Sequence, residues 1–261
     1  RGLRGALTLA GVALVVLVAT RPWSTTTYDL HATGVWVVNE DLDAIGRVNP
    51  ELPELDHVRD VAGGQVFQDG DDAYLLVQGE SSSSVRRLLP DDPGADTPEL
   101  LFDGPVLLRP GGGVVGAVSD GEVTRIEGGE TLVAEVLGDV ADDADQPGRF
   151  VVGVDGTIAV LDPAGGEVAV AGPGDRRLRP VAVDDVSEED RASITLVGDR
   201  PVVLDESGSG PRLLIPGEAP VPLDDLGDGE RVDVALQQPG PAAAAVVVAA
   251  DEVVAAVDLA G

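Results

Sequence analysis

The chain of 261 residues contains no cysteine, no methionine and no lysine, and its only histidines are His31 and His57. Without cysteine there can be no disulfide, thiolate nucleophile, iron–sulfur cluster or cysteine zinc site. Both histidines lie in the first quarter of the chain, which rules out histidine-rich metal chemistry. Stability therefore has to come from packing and from the closure of the fold.

Basic and aromatic residues are also scarce. The 17 basic residues are all arginine and face 47 acidic residues, so the formal net charge is −30. A nucleic-acid-binding protein needs a cationic surface to displace counterions from phosphates, and a stacking platform needs aromatic rings, which make up 3% of this chain. The composition excludes nucleic acid as a partner. Its bias toward arginine, alanine, glycine, valine and aspartate indicates a GC-rich, actinobacterial genome.

The longest uncharged segment is Gly5–Thr20, between Arg4 and Arg21. A helix over it would be roughly 24 Å long, and the flanking arginines and Trp23 can extend its reach to the membrane interfaces. Arg1 and Arg4 precede the segment and the acidic bulk of the chain follows it. The positive-inside rule then predicts a cytoplasmic N-terminus and an extracellular bulk.

We therefore expect residues 1–23 to form a single-pass cell-membrane anchor and residues 24–27 a short tether. A cleaved signal peptide is the alternative, although "VATRPW" is a poor cleavage site. The chain starts without methionine, and we expect it to be part of a longer protein.

From residue 28 onward, short Val/Leu/Ile segments alternate with Gly, Pro and Asp turns, which is typical of an all-β domain. One phrase recurs at intervals of about 40 residues: "AIGRVNP", "SVRRLLP", "EVTRIEG", "TIAVLDP", "RPVVLDE" and "VVAAVDL". Each copy has an apolar residue at its fifth place: Val48, Leu88, Ile126, Leu161, Leu204 and Val257. This period, with another strand before each copy, is typical of the blades of a β-propeller.

We predict that residues 28–261 form a β-propeller of about six four-stranded blades. The second unit contains four strand-like segments: Val66–Gln68, Ala73–Val77, Val85–Leu89 and Glu99–Phe102. Trp36 falls in the second strand of the first blade, where a large side chain would fill the wedge between blades. The last blade is truncated at Gly261, so its remaining strand either lies beyond that residue or is supplied by Tyr28–Gly34.

Three short motifs resemble functional sites but have a simpler interpretation. "GGGVVG" (Gly111–Gly116) matches the dinucleotide fingerprint, yet no helix follows it, so we interpret it as a hairpin turn. "ESGSG" (Glu206–Gly210) lacks the first glycine of a nucleophile elbow. "DRRLRP" (Asp175–Pro180) is the densest basic segment, and we expect a solvated loop paired with nearby acids rather than an anion site.

Acidic residues cluster in two long loops, and calcium would favour such oxygen-rich segments. Neither loop has the D-x-D-x-D-G order, so we expect no metal site and no cofactor, with calcium as the one alternative. The acids are Asp142, Asp143, Asp145, Asp184, Asp185, Glu188, Glu189 and Asp190.

The phrase "GVWVVNEDLDAIGRVNP" (Gly34–Pro50) resembles the blade repeat of streptogramin-lyase-like, YVTN-type propellers. With the anchor and the acidic, lysine-free composition, the whole chain resembles the N-terminal part of large actinobacterial surface proteins. Those proteins carry an anchor, a propeller-like region and fibronectin type III or similar Ig-like domains. The resemblance implies an envelope-anchored extracellular protein. The lyases use a histidine, an acidic partner and a divalent metal, but no histidine follows His57, so their activity does not carry over.

We therefore expect a non-catalytic, membrane-anchored propeller that binds envelope or extracellular proteins as an interaction or scaffold module. We assign no catalytic, cofactor-binding or metal-binding residue. Two alternatives stay open: a sensor or assembly subunit of an envelope complex, and a degenerate propeller lyase or hydrolase that uses carboxylates around the axis.

Overall fold

The structure is a computed structural model that describes twelve ranges of the unit Thr33–Gly261. These are residues 34–49, 54–61, 64–79, 81–89, 97–128, 132–141, 144–146, 148–186, 191–206, 210–223, 234–250 and 253–259. The predicted anchor at residues 1–23, the tether at 24–27 and His31 lie outside the described residues. Within the twelve ranges, no helix has the length and apolar character needed to cross a membrane.

The described residues form six antiparallel sheets, and in each sheet the strands follow one another in chain order. Sheet A contains β1 (Val35–Asn39), β2 (Ala44–Asn49) and β3 (Glu54–Asp60), and a 3₁₀ turn at Glu40–Leu42 joins β1 to β2. Sheet B contains β4 (Gly64–Asp69), β5 (Asp72–Gln78), β6 (Ser82–Leu88) and β7 (Glu99–Asp103). Sheet C contains β8 (Leu107–Gly111), β9 (Val114–Ser119), β10 (Glu122–Glu127) and β11 (Val133–Asp139).

The remaining sheets repeat this order. Sheet D contains β12 (Phe150–Val152), β13 (Ile158–Asp162), β14 (Glu167–Ala171) and β15 (Arg179–Ala182). Sheet E contains β16 (Ala192–Val197), β17 (Arg200–Asp205), β18 (Arg212–Leu214) and β19 (Val221–Pro222). Sheet F contains β20 (Val234–Leu236), β21 (Ala245–Ala250) and β22 (Val253–Asp258). The predicted all-β architecture of about six blades is confirmed, with three strands described in sheets A and F.

The apolar core lies between consecutive sheets rather than at one centre. Among the described residues, one cluster of buried side chains joins each neighbouring pair, from A–B to E–F. On β5, Ala73 and Leu75 pack toward sheet A, whereas Tyr74 and Leu76 pack toward sheet C. Because both faces of such a strand are covered, its sequence is a continuous apolar run rather than an alternating one.

Neighbouring sheets have parallel first strands, which fixes two faces of the stack. Val197, at the end of β16, forms a parallel bridge with Gly240, which follows β20. At the other end, the amide of Ile194 donates to the carbonyl oxygen of Gly148, just before β12, at 2.8 Å. The first strands β4, β8, β12, β16 and β20 all end on one face of the stack, which we call the upper face. We call the opposite face the lower face.

The predicted repeat alignment is wrong by one strand in two blades. One more strand of the same sheet follows the strands that contain Val48, Leu88 and Ile126. Two more strands follow β13 and β17, which contain Leu161 and Leu204. Second and third strands are both buried on two faces and both end in a turn, so the apolar pattern does not distinguish them.

Trp36 packs between sheets A and B as predicted. It is 7% exposed and shares a cluster with Ile45 of sheet A and Leu75 of sheet B. Around it, the amide side chain of Gln68 accepts a hydrogen bond from Trp36 N at 3.1 Å and donates to Gly34 O at 3.0 Å. Gln68 thus fills the hydrogen-bonding positions of Trp36 N and Gly34 O on the edge of β1 that pairs with no described strand.

We expect Trp36→Ala to lower the free energy of unfolding by about 3–5 kcal/mol, because it leaves a cavity between two sheets. Urea denaturation followed by far-UV circular dichroism measures the change. Leu101→Ala is the matched control, since Leu101 is 76% exposed on β7 and should change stability by less than about 0.5 kcal/mol. Equal effects of the two variants would contradict a buried role for Trp36.

Candidate functional site

The upper turns between first and second strands are the natural place for a site, because they come from successive sheets. Asp71, Asp199, Asp69 and Asp155 supply carboxylates there, and the last two accept hydrogen bonds. Asp69 Oδ2 accepts a hydrogen bond from the amide of Gly113, in the next sheet, at 3.1 Å. The two oxygens of Asp155 accept from the amide and the hydroxyl of Thr157, both at 2.9 Å. Both carboxylates are therefore engaged in turn geometry.

The upper turns of sheets C and D also lie in direct contact. Gly112 has a φ of 60°, and a Cβ added to it would lie 2.1 Å from the backbone nitrogen of Gly156. Only glycine fits this close approach of two turns. The segment "GGGVVG" thus forms the turn between β8 and β9, and the predicted hairpin replaces the dinucleotide interpretation.

Other polar side chains near the first strands join one sheet to the next. Gln78 Nε2 donates to the carbonyl oxygen of Val106 at 2.6 Å, from sheet B toward sheet C. Thr195 is 1% exposed, and its hydroxyl donates to the carbonyl oxygen of Gln237 at 2.8 Å, from sheet E toward sheet F. These groups satisfy buried backbone carbonyls, which is a structural use.

Arg109 is the one basic residue on a described first strand of sheets B to F. It is half-buried on β8, and its guanidinium donates to the carbonyl oxygen of Leu108 at 3.0 Å. Burial lowers the pKa of Arg109. Sequence reasoning does not single out this residue, because one arginine in an apolar strand carries no spacing signal.

Tyr74 is a buried residue with an unsatisfied polar group. Its side chain is 1% exposed, and the hydroxyl has no hydrogen-bond partner among the described residues. Burial, with a smaller contribution from Asp72, raises the pKa of Tyr74 to about 12. A Cβ added to Gly128 would lie 2.6 Å from this hydroxyl, so the ring fills the space beside that glycine.

The predicted basic loop "DRRLRP" lies on the upper face between β14 and β15. Arg179 forms an ion pair with Asp175, and Arg176 Nε lies 3.6 Å from Glu135 Oε1. The prediction of a loop paired with nearby acids is therefore confirmed for these two arginines.

Arg125 anchors this loop from below. It is 2% exposed on β10 and donates to the carbonyl oxygens of Gly172 and Asp175, each at 2.7 Å.

The lower face contains the long acidic connections, as predicted. Asp145 lies between β11 and β12, and Asp184 and Asp185 lie between β15 and β16; all three are exposed. The remaining acids of these loops, Asp142, Asp143, Glu188, Glu189 and Asp190, lie outside the described residues. Across the described ranges, no three acidic or histidine side chains converge as a metal ion would require.

One carboxylate at the lower end of sheet E is fully buried. Asp205 has 0% exposure, and its Oδ2 accepts from Arg212 Nε at 3.1 Å and Nη2 at 2.9 Å. The pair joins β17 to β18, so an arginine of the same sheet neutralises this buried charge.

The "ESGSG" segment and His57 lie at two different places in the fold. Glu206 accepts a hydrogen bond from the amide of Val234 at 3.0 Å, whereas residues 207–209 of "ESGSG" lie outside the described residues. The backbone of His57 lies on β3, paired with Arg47. The structure thus brings neither candidate to the upper turns.

We expect Tyr74→Phe to stabilise the protein, because it removes a buried hydroxyl that costs about 1–3 kcal/mol when unsatisfied. Because the pKa of Tyr74 is raised, the effect of this substitution on stability should also depend on pH. Above pH 10 the unfolded tyrosine releases its proton before the folded one does, so the wild type should lose stability toward pH 12, by up to about 1.4 kcal/mol per pH unit. Urea denaturation of both proteins at pH 8, 10 and 11 measures this difference. Parallel pH profiles would contradict the burial of the hydroxyl.

We expect Asp205→Ala to cost about 3–5 kcal/mol, because it leaves Arg212 without its buried partner. Glu218→Ala is the matched control, since it breaks the partly exposed ion pair with Arg200, which is worth about 0–1 kcal/mol. The measurement is again the urea midpoint at constant m-value. A loss no larger than that of Glu218→Ala would show that Asp205 is accessible to water.

Comparison with known proteins identifies a fold but no family. No protein-family model matches the chain, and no curated protein matches it. Hsv2 from Kluyveromyces lactis is similar with a TM-score of 0.53 at 11% identity, over 84% of this chain and 75% of that one. A virginiamycin B lyase from Staphylococcus aureus, an inactive variant with quinupristin, has a TM-score of 0.48 at 11% identity, over 83% and 73%. At these identities the Hsv2 likeness shows the fold alone, which is a β-propeller.

Proposed function

We propose that this propeller is a non-catalytic protein-interaction or scaffold module of the cell envelope, anchored in the membrane by residues 1–23 with its bulk outside the cell. The observation that carries the proposal is the use made of polar side chains near the first strands. Asp69 and Gln78 bond to the next sheet, and Asp155 bonds within its own turn. The contacts of these three side chains therefore hold turns and sheets together.

The charge of the chain is consistent with a binding role outside the cell. A net charge of −30 maintains solubility and repels anionic lipid surfaces, so the propeller would stand away from the bilayer that its anchor crosses. The acidic connections on the lower face would favour partners with basic surfaces. The hydrogen-bonded carboxylates of Asp69 and Asp155 give no support to the lyase or hydrolase alternative.

The purified full chain should show no turnover with lyase, esterase and glycosidase substrates, with or without divalent metal. Catalysis of these kinds needs an activated nucleophile or a pair of acids with separated pKa values. Asp69→Asn and Asp155→Asn, checked for folding by circular dichroism, are the matched variants. Turnover by the wild type that disappears in one of them would overturn the non-catalytic proposal.

Protease added to intact cells that express the full chain should remove the propeller and leave the anchor. This follows from Arg1 and Arg4 on the cytoplasmic side of the apolar segment. Lysed cells are the control for cleavage from either side. Complete protection in intact cells would contradict the proposed orientation.

A further inference from the structure

The described sheets converge at their first strands. In sheets B to E the first strand stands at one end of the strand order, so one of its edges pairs with no strand of its own sheet. Neighbouring first strands contact one another along the series β4, β8, β12 and β16. In a propeller, blades that converge in this way surround a central channel. We call the surface formed by these four strands the inner edge.

Arg109 lies on the inner edge and projects toward sheet D. It pairs with Gly116 across β8 and β9, so the two residues share one face of sheet C. A Cβ added to Gly116 would lie 2.5 Å from Cζ of Phe150 and 2.8 Å from Cγ2 of Val152, both on β12. Leu107, two residues before Arg109 on β8, packs in the same cluster as these two side chains. The stem of Arg109 is therefore directed to the place where β8 meets β12.

The guanidinium of Arg109 has few acceptors. It carries five N–H donors, and its Nη1 donates to the carbonyl oxygen of Leu108 at 3.0 Å. Among the described residues it has no other hydrogen-bond or ion-pair partner. Carboxylates are not scarce in a chain with 47 acidic residues. The fold nevertheless leaves most donors of this half-buried cation to solvent or to a ligand.

Other arginines of the described ranges have acceptors of their own. Arg125, which is more deeply buried, donates to two carbonyl oxygens. By contrast, Arg109 has lost part of its water without gaining a charged acceptor, and this burial lowers its pKa. If the position served packing alone, an apolar side chain of similar length would fill it without the cost of desolvating a charge. The arginines with a carboxylate partner are Arg87, Arg176, Arg179, Arg200 and Arg212.

A single, partly desolvated positive charge selects a singly charged acceptor. The two oxygens of a carboxylate match two N–H groups of a guanidinium in a bidentate pair and cancel its charge. A phosphate group carries about −1.5 to −2 at pH 7. It would leave excess negative charge in a chain whose net charge is already −30. A carboxylate is therefore the ligand group that fits Arg109.

We infer that Arg109 binds a carboxylate of the partner protein, from an aspartate or glutamate side chain or from a C-terminus, where β8 meets β12 on the inner edge. This inference rests on the proposed interaction function and names one contact through which that function would work. The two carboxylate oxygens would accept from the remaining donors of the guanidinium, while Nη1 keeps its bond to Leu108. Basic or neutral residues would flank this carboxylate in the partner, because the surrounding chain is acidic.

Nuclear magnetic resonance of the full chain labelled with ¹⁵N-arginine tests the site directly, because each Nε–H group gives its own signal. Arg109→Lys and Arg109→Met both identify the Arg109 signal by its loss. At pH 6 and constant ionic strength, acetate should shift this signal saturably, and sulfate, a dianion, should need a concentration at least about tenfold higher. The signal of Arg176, whose side chain is 86% exposed, should not saturate. Equal responses of the two arginines would overturn the inference, since acetate would then act only as a general ion.

Three peptides distinguish the sources of the carboxylate. Acetyl-trialanine with a free C-terminus has one carboxylate, and the amidated peptide with a central aspartate has one on a side chain. Amidated acetyl-trialanine is the uncharged control. We expect one of the two charged peptides to shift the Arg109 signal at a lower concentration than acetate does, and that peptide identifies the source. Saturation by acetate but by neither charged peptide would overturn the inference, as would an equal effect of the control.

The stability of Arg109→Met separates binding from packing. Because the substitution removes a desolvated charge and keeps the length of the side chain, the urea midpoint should stay the same or rise. A midpoint lowered as far as that of Trp36→Ala would overturn the inference, since the arginine would then be required by the fold. None of these measurements follows turnover, so their failure is distinct from a failure of the non-catalytic proposal.

Discussion

The face-to-face packing of neighbouring sheets is the constraint on which this molecule depends. A single sheet of three or four strands with apolar residues on both faces cannot bury them alone, and packing against neighbouring sheets stabilises it. The chain meets this requirement by placing Val, Leu, Ile and Ala on both sides of its central strands. The core is consequently a series of five clusters between sheets, such as the one in which Tyr74 and Leu76 of sheet B meet Leu108 of sheet C. With no disulfide available, this packing carries the fold.

Polar side chains also connect neighbouring sheets. Gln68, Gln78 and Thr195 bond backbone groups of the neighbouring sheet, and Asp69 reaches the turn of the next one. Buried charges are held in the same way, because Arg125 binds two carbonyl oxygens and Asp205 binds Arg212. Chemistry-bearing residues are thus present, but they are used to join strands and sheets. This use of the polar groups is the observation on which the proposed binding role rests.

Much of this architecture is visible in the sequence. The four strands of sheet B, to within three residues at each end, the position of Trp36 and the presence of acidic loops follow from apolar runs, turn residues and charge. The strand to which each copy of the repeat belongs cannot be read from the sequence. Leu161 and Leu204 lie on second strands, whose two buried faces give the same apolar pattern as third strands. The bonds of Gln68 and the unpaired hydroxyl of Tyr74 also escape prediction, since they depend on which residues the packing of two distant segments brings together.

The order of stability along the stack gives the most direct measurement of this account. Hydrogen exchange of the full chain, followed by mass spectrometry, reports the free energy at which each strand opens. Sheets B to E are each covered on two faces, so the amides of β5, β9, β13 and β17 should exchange slowest. The strands of the end sheets, β1 and β22, should exchange faster, because among the described residues each end sheet shares a buried cluster with only one neighbouring sheet. Equal protection of β1, β9 and β22 would contradict an account in which packing between neighbouring sheets sets the local stability.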